Sequence, residues 1–228
     1  MQTMALRMRR KGIQVFIIAP LKGHEFYRAA RNVGGEFIQI SPASKNCINI
    51  MEIRKVDNSV NELLDGPTLD ASALAGKIQR LHIFFSLLIP DMSHEEKQLL
   101  DEALIKTYAR KGITHKNESL TDPQHPEQYK KMPILEDVYN VLLESEDTKR
   151  LAHILNRLVH GSASSFNQQT NVDLTNKYTV LDISELTGSS DLLTVGMFVA
   201  LDYVWDKAKE NRTCLLYTSP SPRDGLLS

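Results

Sequence analysis

The chain has 228 residues, 42% of them hydrophobic, enough to bury a sizeable core in one large or two small domains. A formal charge of -1 excludes bulk attraction to nucleic acid or anionic membrane and leaves only a local basic patch as a route to either. No apolar run reaches the roughly 20 residues that span a bilayer, the start lacks the apolar segment of a signal peptide, and the cysteines, Cys47 and Cys214, give neither a disulfide framework nor a zinc spacing.

Met1, Met4, Ala5 and Met8 recur at helical spacing, and Arg9, Arg10 and Lys11 crowd the last turn before Gly12, where cations match the helix dipole and glycine suits the cap. DNA contact is the alternative use of those cations. The stretch Ile13 to Glu25 then organises everything else. Its apolar, β-branched half, bounded by Gly12 and Pro20, predicts an interior strand covered on both faces, as a parallel sheet between helix layers requires. The exit of that strand, Ala19 to Glu25, falls where an open α/β sheet forms its ligand crevice. Lys22, His24 and Glu25 in that loop have two open readings, a solvated turn or a set of ligands. A helix entering such a strand normally follows a strand of its own, so the natural chain is expected to start earlier.

Phe26, Ala29, Ala30 and Val33 mark a short helix ending at Gly34-Gly35, and Glu36 to Ile40 alternates as a half-exposed strand, completing a second βαβ-like turn. Ser41 to Ile50 is polar and turn-rich and is expected to leave the sheet as a loop, with a further exposed loop at Asp65-Gly66-Pro67. From there to Gly161 the pattern is helical. Leu74, Ile78, Leu81, Phe85 and Leu88 stripe one helix that Pro90 stops. Ser93 to Glu96 has capping-box spacing before a helix with Leu99, Leu100, Ala103, Leu104 and Tyr108 inward. A polar, mobile loop is expected over Thr114 to Lys131. Pro133 opens a helix carrying Leu135, Val138 and Leu142, and Asp147 is read as the cap of another carrying Leu151, Ile154, Leu155 and Leu158.

The chain returns through a small, polar stretch, Gly161 to Asn171, to a strand at Tyr178 to Ile183 and a long helix from about Asp191 to Asn211. Asp182, at the end of that strand, caps the next turn or faces the crevice. Gln168, Gln169 and Asn171 sense a phosphate or a neighbouring subunit, or only satisfy loop backbone. Cys214 to Asp224 resembles the translated read-through of a transposon-type sequencing-library adapter, a peptide that recurs at the ends of unrelated metagenomic reading frames. Pro220 and Pro222 forbid continuing the helix through it. On this reading Cys214 to Ser228 carries no function and the natural chain was cut at both ends. No Gly-x-Ser-x-Gly elbow, dinucleotide fingerprint or metal-binding histidine pair occurs.

Gly34-Gly35-Glu36, Ile40-Ser41-Pro42-Ala43-Ser44-Lys45-Asn46-Cys47-Ile48-Asn49, and Phe166 through Leu174 followed by Asp182, in that order and spacing, resemble the motor domain of conjugative type IV secretion ATPases. The resemblance covers roughly residues 1–213. It implies an α/β fold, an incomplete RecA-like core of the phosphate-loop NTPase kind, with a parallel sheet and an all-α insertion. Residues 1–64 are then the first part of the core, 65–161 the insertion, 162–213 the return to the core, and 214–228 the adapter-like tail. The family's function implies ATP and magnesium as cofactors of the intact parent, with Lys22, His24, Glu25 and Asp182 flanking the nucleotide.

No Gly-x-x-x-x-Gly-Lys-Ser/Thr occurs, so the opening helix would be the one after a missing phosphate-binding loop. The strand bearing the magnesium-organising acids would follow the helix ending near Arg212. No residue of the chain is therefore assigned a catalytic or metal-binding role, and the fragment is expected to bind no cofactor and to be inactive alone. Where relatives carry an Asp-Pro-Glu, this chain has Ala19-Pro20-Leu21, which removes two acids from the crevice. The resemblance further implies partners among other secretion-system subunits, self-assembly of the parent, and a cytoplasmic position. It leaves room for DNA and for peripheral attachment at the inner face of the membrane. The alternatives are a DNA-pumping translocase of the same superfamily and a non-enzymatic helical interaction protein.

Overall fold

The computed structural model describes residues 2–54 and 72–210. The expected loop at Asp65-Gly66-Pro67 and the adapter-like tail from Cys214 lie outside the described residues. Helix α1 (Gln2–Arg10) ends as its sequence dictates: the Gly12 N–H closes on the Arg9 carbonyl at 2.9 Å, and Gly12 takes a φ of +81°, which only glycine adopts without strain. After two intervening residues the chain enters β1 (Val15–Ala19). Helix α2 (His24–Asn32) follows, then β2 (Glu36–Gln39).

The third strand, β3 (Tyr178–Asp182), arrives only after the helical region and settles between the other two. The described sheet is parallel throughout with order β1-β3-β2, Val15 opposite Tyr178 and Glu36 opposite Thr179. The run at β1 is covered on both faces, as read: Val15, Ile17 and Ala19 pack with Ala5, Ala30, Tyr178 and Val180, while Phe16 and Ile18 pack into the larger core. Laterally, however, β1 is an edge of the described sheet, and β3, buried at all five positions, is the interior strand. Hydrophobicity reports which faces are covered and says nothing of what lies beside the strand. For the same reason β1 and β2, though consecutive, are not neighbours.

Helix α3 (Ala73–Leu88) starts on Ser72, whose hydroxyl accepts the Ala75 N–H, and stops before Pro90. Helix α4 (His94–Arg110) has the expected reciprocal box, with the Ser93 hydroxyl on the Glu96 N–H and the Glu96 carboxylate on the Ser93 N–H. The loop over 114–131 carries more local order than its polarity suggests. It holds a 3-10 turn (Asn117–Leu120) that buries Leu120, and an antiparallel bridge between Thr121 and Tyr129. Helices α5 (Leu135–Leu142) and α6 (Lys149–Val159) follow. Asp147 is not the cap between them. It sits inside a 3-10 turn (Glu146–Thr148), and the Ser145 hydroxyl accepts its N–H.

Helix α7 (Ser190–Glu210) completes the described chain and lies across the face of the sheet that carries Phe16, Ile18 and Leu181. One apolar cluster runs from Ile38 and Leu181 through Leu81, Phe85, Leu104, Leu142 and Leu155 to Val199, so the helical region and the sheet share a core. The second half of the loop after β2 is buried, while Ala43 and Lys45 in its first half are exposed. Cys47 through Met51 lie beneath the helical region, and Asn49 is accommodated because its amide donates to the Pro133 carbonyl and its oxygen accepts from the Met51 N–H.

Candidate crevice and a buried ionic cluster

Parallel register brings the carboxyl ends of all three strands to one side. The Ile183 N–H donates to the Ala19 carbonyl at 3.1 Å and the Ile40 N–H to the Asp182 carbonyl at 2.8 Å, so the loops leaving the strands share a rim. Of the four sequence-selected residues, Lys22 lies in the loop after β1, and His24 and Glu25 open α2. Lys22 holds a left-handed φ of +55°, an uncommon conformation for a residue with a side chain, and its ammonium stands 3.8 Å from the Glu25 carboxylate. Both side chains are mostly exposed, and His24 is exposed at the first position of α2.

Asp182 lies beneath them at 3% exposure. One carboxylate oxygen accepts the Ser184 N–H at 3.0 Å, the turn-capping role read from the sequence. Its carboxylate also fills the space a side chain would need at Gly23: a Cβ there would fall 2.0 Å from Asp182 Cγ. Gly23 is therefore required by close approach. The arrangement sets a carboxylate against the first turn of α2, which has no side-chain cap of its own and where the helix dipole favours negative charge.

That contact decides how well ATP and magnesium fit these residues. A phosphate cradle needs outward backbone N–H groups and a nearby cation at a helix N-terminus. At α2 the place next to the helix end is taken by Asp182, which repels phosphate, and Lys22 is turned toward Glu25. The crevice residues alone do not fit a nucleotide-magnesium complex. Gln169 and Asn171 serve the backbone, by donation to the Met132 carbonyl and by a pair of bonds to the Cys47 N–H and Lys45 carbonyl, and Gln168 is exposed. Among the described residues there is no group of three or more His, Cys, Asp or Glu side chains placed to hold a metal ion, and no helix is long and apolar enough to cross a membrane.

The sequence reading missed a second polar centre. Lys77 and Arg80 on α3 meet Asp202 and Asp206 on α7, with Arg54 joining from the loop after β2. Lys77 Nζ lies 3.3 Å from Asp202, Arg80 Nη1 lies 2.9 Å from Asp202 and 2.6 Å from Asp206, and Arg54 Nη1 lies 3.0 Å from Asp206. The Arg54 guanidinium also stacks 4.3 Å over the Tyr203 ring. Burial pulls the Lys77 ammonium down to about 8, although Asp202 opposes the shift. Burial pushes the Asp202 carboxyl up, yet the cations around it outweigh burial and hold it below its ordinary value. Spacing was the available signal: Lys77 and Arg80 are three apart, and Asp202 and Asp206 four apart, each pair on one helical face among apolar neighbours. The cluster fastens α3 to α7.

No protein-family model matches the chain, and no curated protein matches it. Among solved structures it is similar to VirB4 of Thermoanaerobacter pseudethanolicus, with a TM-score of 0.75 and 25% sequence identity over 92% of this chain and 53% of that one. The chain thus spans about half the length of the solved relative. The likeness bears out the fold class expected from the sequence, an α/β, partial RecA-like core with a parallel sheet and added helices.

Proposed function

We propose that the chain is a segment of the motor domain of a type IV secretion ATPase, whose intact parent hydrolyses ATP with magnesium to energise conjugative DNA transfer. The supporting observation is the unfinished sheet. Three parallel strands stand with helices on both faces, and β1 has no neighbour on its far side among the described residues, in a chain similar to roughly half of VirB4. A motor sheet that continues past β1 accounts for this. The parent supplies the phosphate-binding loop before α1 and the acidic strand after α7, and ATP bound there supplies the phosphoryl group that is cleaved.

In the parent, the residues present here frame the site. Asp182, through Gly23, fixes the loop after β1, and Lys22, His24 and Glu25 form its rim beside the nucleotide. Partners on this reading are other secretion-system subunits and further copies of the parent, with DNA as the transferred substrate and a cytoplasmic, peripheral position at the inner membrane face. Alone, the segment lacks the groups that grip phosphate and does not hydrolyse ATP. Isothermal titration of residues 1–213 with ATP and magnesium tests this statement: no measurable heat is expected, and tight binding would overturn it.

A further inference from the structure

Positive charge is concentrated at one end of the sequence and one end of the fold. Residues 1–34 hold seven Lys and Arg against one acid, Glu25, in a chain whose overall charge is -1. Helices α1 and α2 pack on the same face of the sheet, α1 through Ala5, Leu6 and Met8 and α2 through Phe26, Ala30 and Val33. Both run against the parallel strands, so their carboxyl ends meet at the amino ends of β1 and β2, where Arg9 Nη2 donates to the Val33 carbonyl at 2.8 Å. Arg7 and Arg10, three apart on α1, and Arg28 and Arg31, three apart on α2, form two exposed ridges. Lys11 and Lys177, which precede β1 and β3, are exposed at the same end.

These cations exceed what their surroundings neutralise. Two helix carboxyl ends carry about one negative charge between them. The acids at this end are Glu36 and Asp173, and they oppose each other: burial and then Asp173 push the Glu36 carboxyl up, with no cation holding it down. Among the described residues none of Arg7, Arg10, Lys11, Arg28, Arg31 and Lys177 forms an ion pair, whereas the exposed Arg110 takes Glu144 and Arg150 takes Asp91 and Glu96. With Arg9 they make seven cations, of which roughly four are left uncompensated by the helix ends and the two acids. Their exposure follows from charge rather than from an absent neighbour. Burying unpaired guanidinium groups is costly, so an apolar layer added beside β1 leaves this end in water.

We propose that this basic end of α1 and α2 is a nucleic-acid-binding surface that grips the phosphate backbone without reading sequence. Five of the seven cations are arginines, whose planar fork matches two phosphate oxygens at once. They form ridges rather than a pocket, which suits a polymer of repeating charge. The acidic remainder of the chain repels the same polymer and confines it to this end. A lipid surface fits less well. The exposed large apolar side chains nearby are Met4 in the first half of α1, Leu21 beyond the far end of β1, and Tyr27, whose ring stands edge-on to Phe37 at 5.3 Å. No such side chain projects from the basic end to anchor it in a bilayer. The crevice is a separate place, because nine residues of helix, about 13 Å, lie between it and the carboxyl ends of α1 and α2. The inference stands without the secretion reading, since it uses only charges that this chain carries.

Fluorescence anisotropy of a labelled DNA duplex of arbitrary sequence, titrated with the 228-residue chain at low salt, should show saturable binding. About four phosphate contacts give a slope of roughly -3.6 for the logarithm of the association constant against the logarithm of salt concentration. Arg7→Gln with Arg10→Gln, and separately Arg28→Gln with Arg31→Gln, should each reduce the steepness by about 2 and weaken binding by about tenfold or more, with circular dichroism unchanged. Lys97→Gln with Lys116→Gln removes the same charge from exposed positions elsewhere and should leave binding and slope as they were. A duplex that never binds overturns the proposal, as does binding that the arginine variants do not weaken, or an equal loss in the lysine control. Phosphatidylserine vesicles that take up the chain while the duplex does not would assign the surface to a membrane and overturn it as well.

Discussion

Removing the charge of Asp202 is the sharpest test of how the helical region is fastened to the helix over the sheet. The Asp202 side chain is 4% exposed and serves Lys77 at 3.3 Å, Arg80 at 2.9 Å and Arg54 at 3.8 Å. In Asp202→Asn the fully buried Lys77 keeps the Ile50 carbonyl at 3.1 Å but loses its nearest counter-charge, and Asp206 is the carboxylate left to oppose its burial. Breaking a buried pair from one side costs about 3 to 5 kcal/mol, and for a chain of this size that lowers the melting temperature by roughly 10 °C.

Lys77→Met should behave differently. Holding Lys77 at about 8 instead of 10.5 means its charged form is disfavoured by roughly 3 kcal/mol, so its removal offsets the lost bond to Ile50. The expected change is within about 1 kcal/mol of neutral, or stabilising. The pH dependence has a definite sign. Between about 8 and 10.5 the unfolded chain binds one more proton at this lysine than the folded chain, so its contribution to stability rises with pH across that window and is flat on either side. Lys77→Met should abolish that rise. Urea and thermal unfolding followed by circular dichroism measure all of these quantities. The reasoning fails if Asp202→Asn costs under about 1 kcal/mol, or if Lys77→Met is as damaging as Asp202→Asn.

Gly23→Ala forces a methyl group into the Asp182 carboxylate and should destabilise by about 1 to 3 kcal/mol; in an Asp182→Ala background much of that penalty should vanish, and an additive double variant would contradict the contact. Tyr108→Phe removes the hydroxyl that donates to the buried Met51 carbonyl at 2.5 Å, and chemical denaturation should record a loss of about 1 to 2 kcal/mol. Ser93→Ala opens the capping box of α4 and should cost about 1 kcal/mol, whereas a neutral result would show that the box adds nothing in the packed protein.

Local structure was legible wherever it depends on neighbours in sequence. Gly12 ended α1, Ser93 and Glu96 opened α4, Pro90 closed the turn after α3, and the apolar stripe from Leu74 to Phe85 fell on the buried face. Lateral position in the sheet was not legible, because β1 and β3 are both covered above and below, and their order depends on a crossover through more than a hundred intervening residues. The loop Ser41 to Ile50 read from its composition only as a polar, turn-rich connection; its second half, from Cys47, is buried because Asn171, Thr170 and the Pro133 carbonyl supply backbone and side-chain partners from far along the chain. Lys77 and Asp202 escaped notice for a related reason. Each reads as a surface residue until the other is brought beside it.

The central claim is that a motor sheet continues past β1, and the flanking coding sequence of the natural gene tests it most directly. The account predicts a Gly-x-x-x-x-Gly-Lys-Ser/Thr loop immediately ahead of α1 and, after α7, an apolar strand ending in acidic residues. A gene whose upstream frame lacks the phosphate loop, or whose α7 runs on without such a strand, would contradict it.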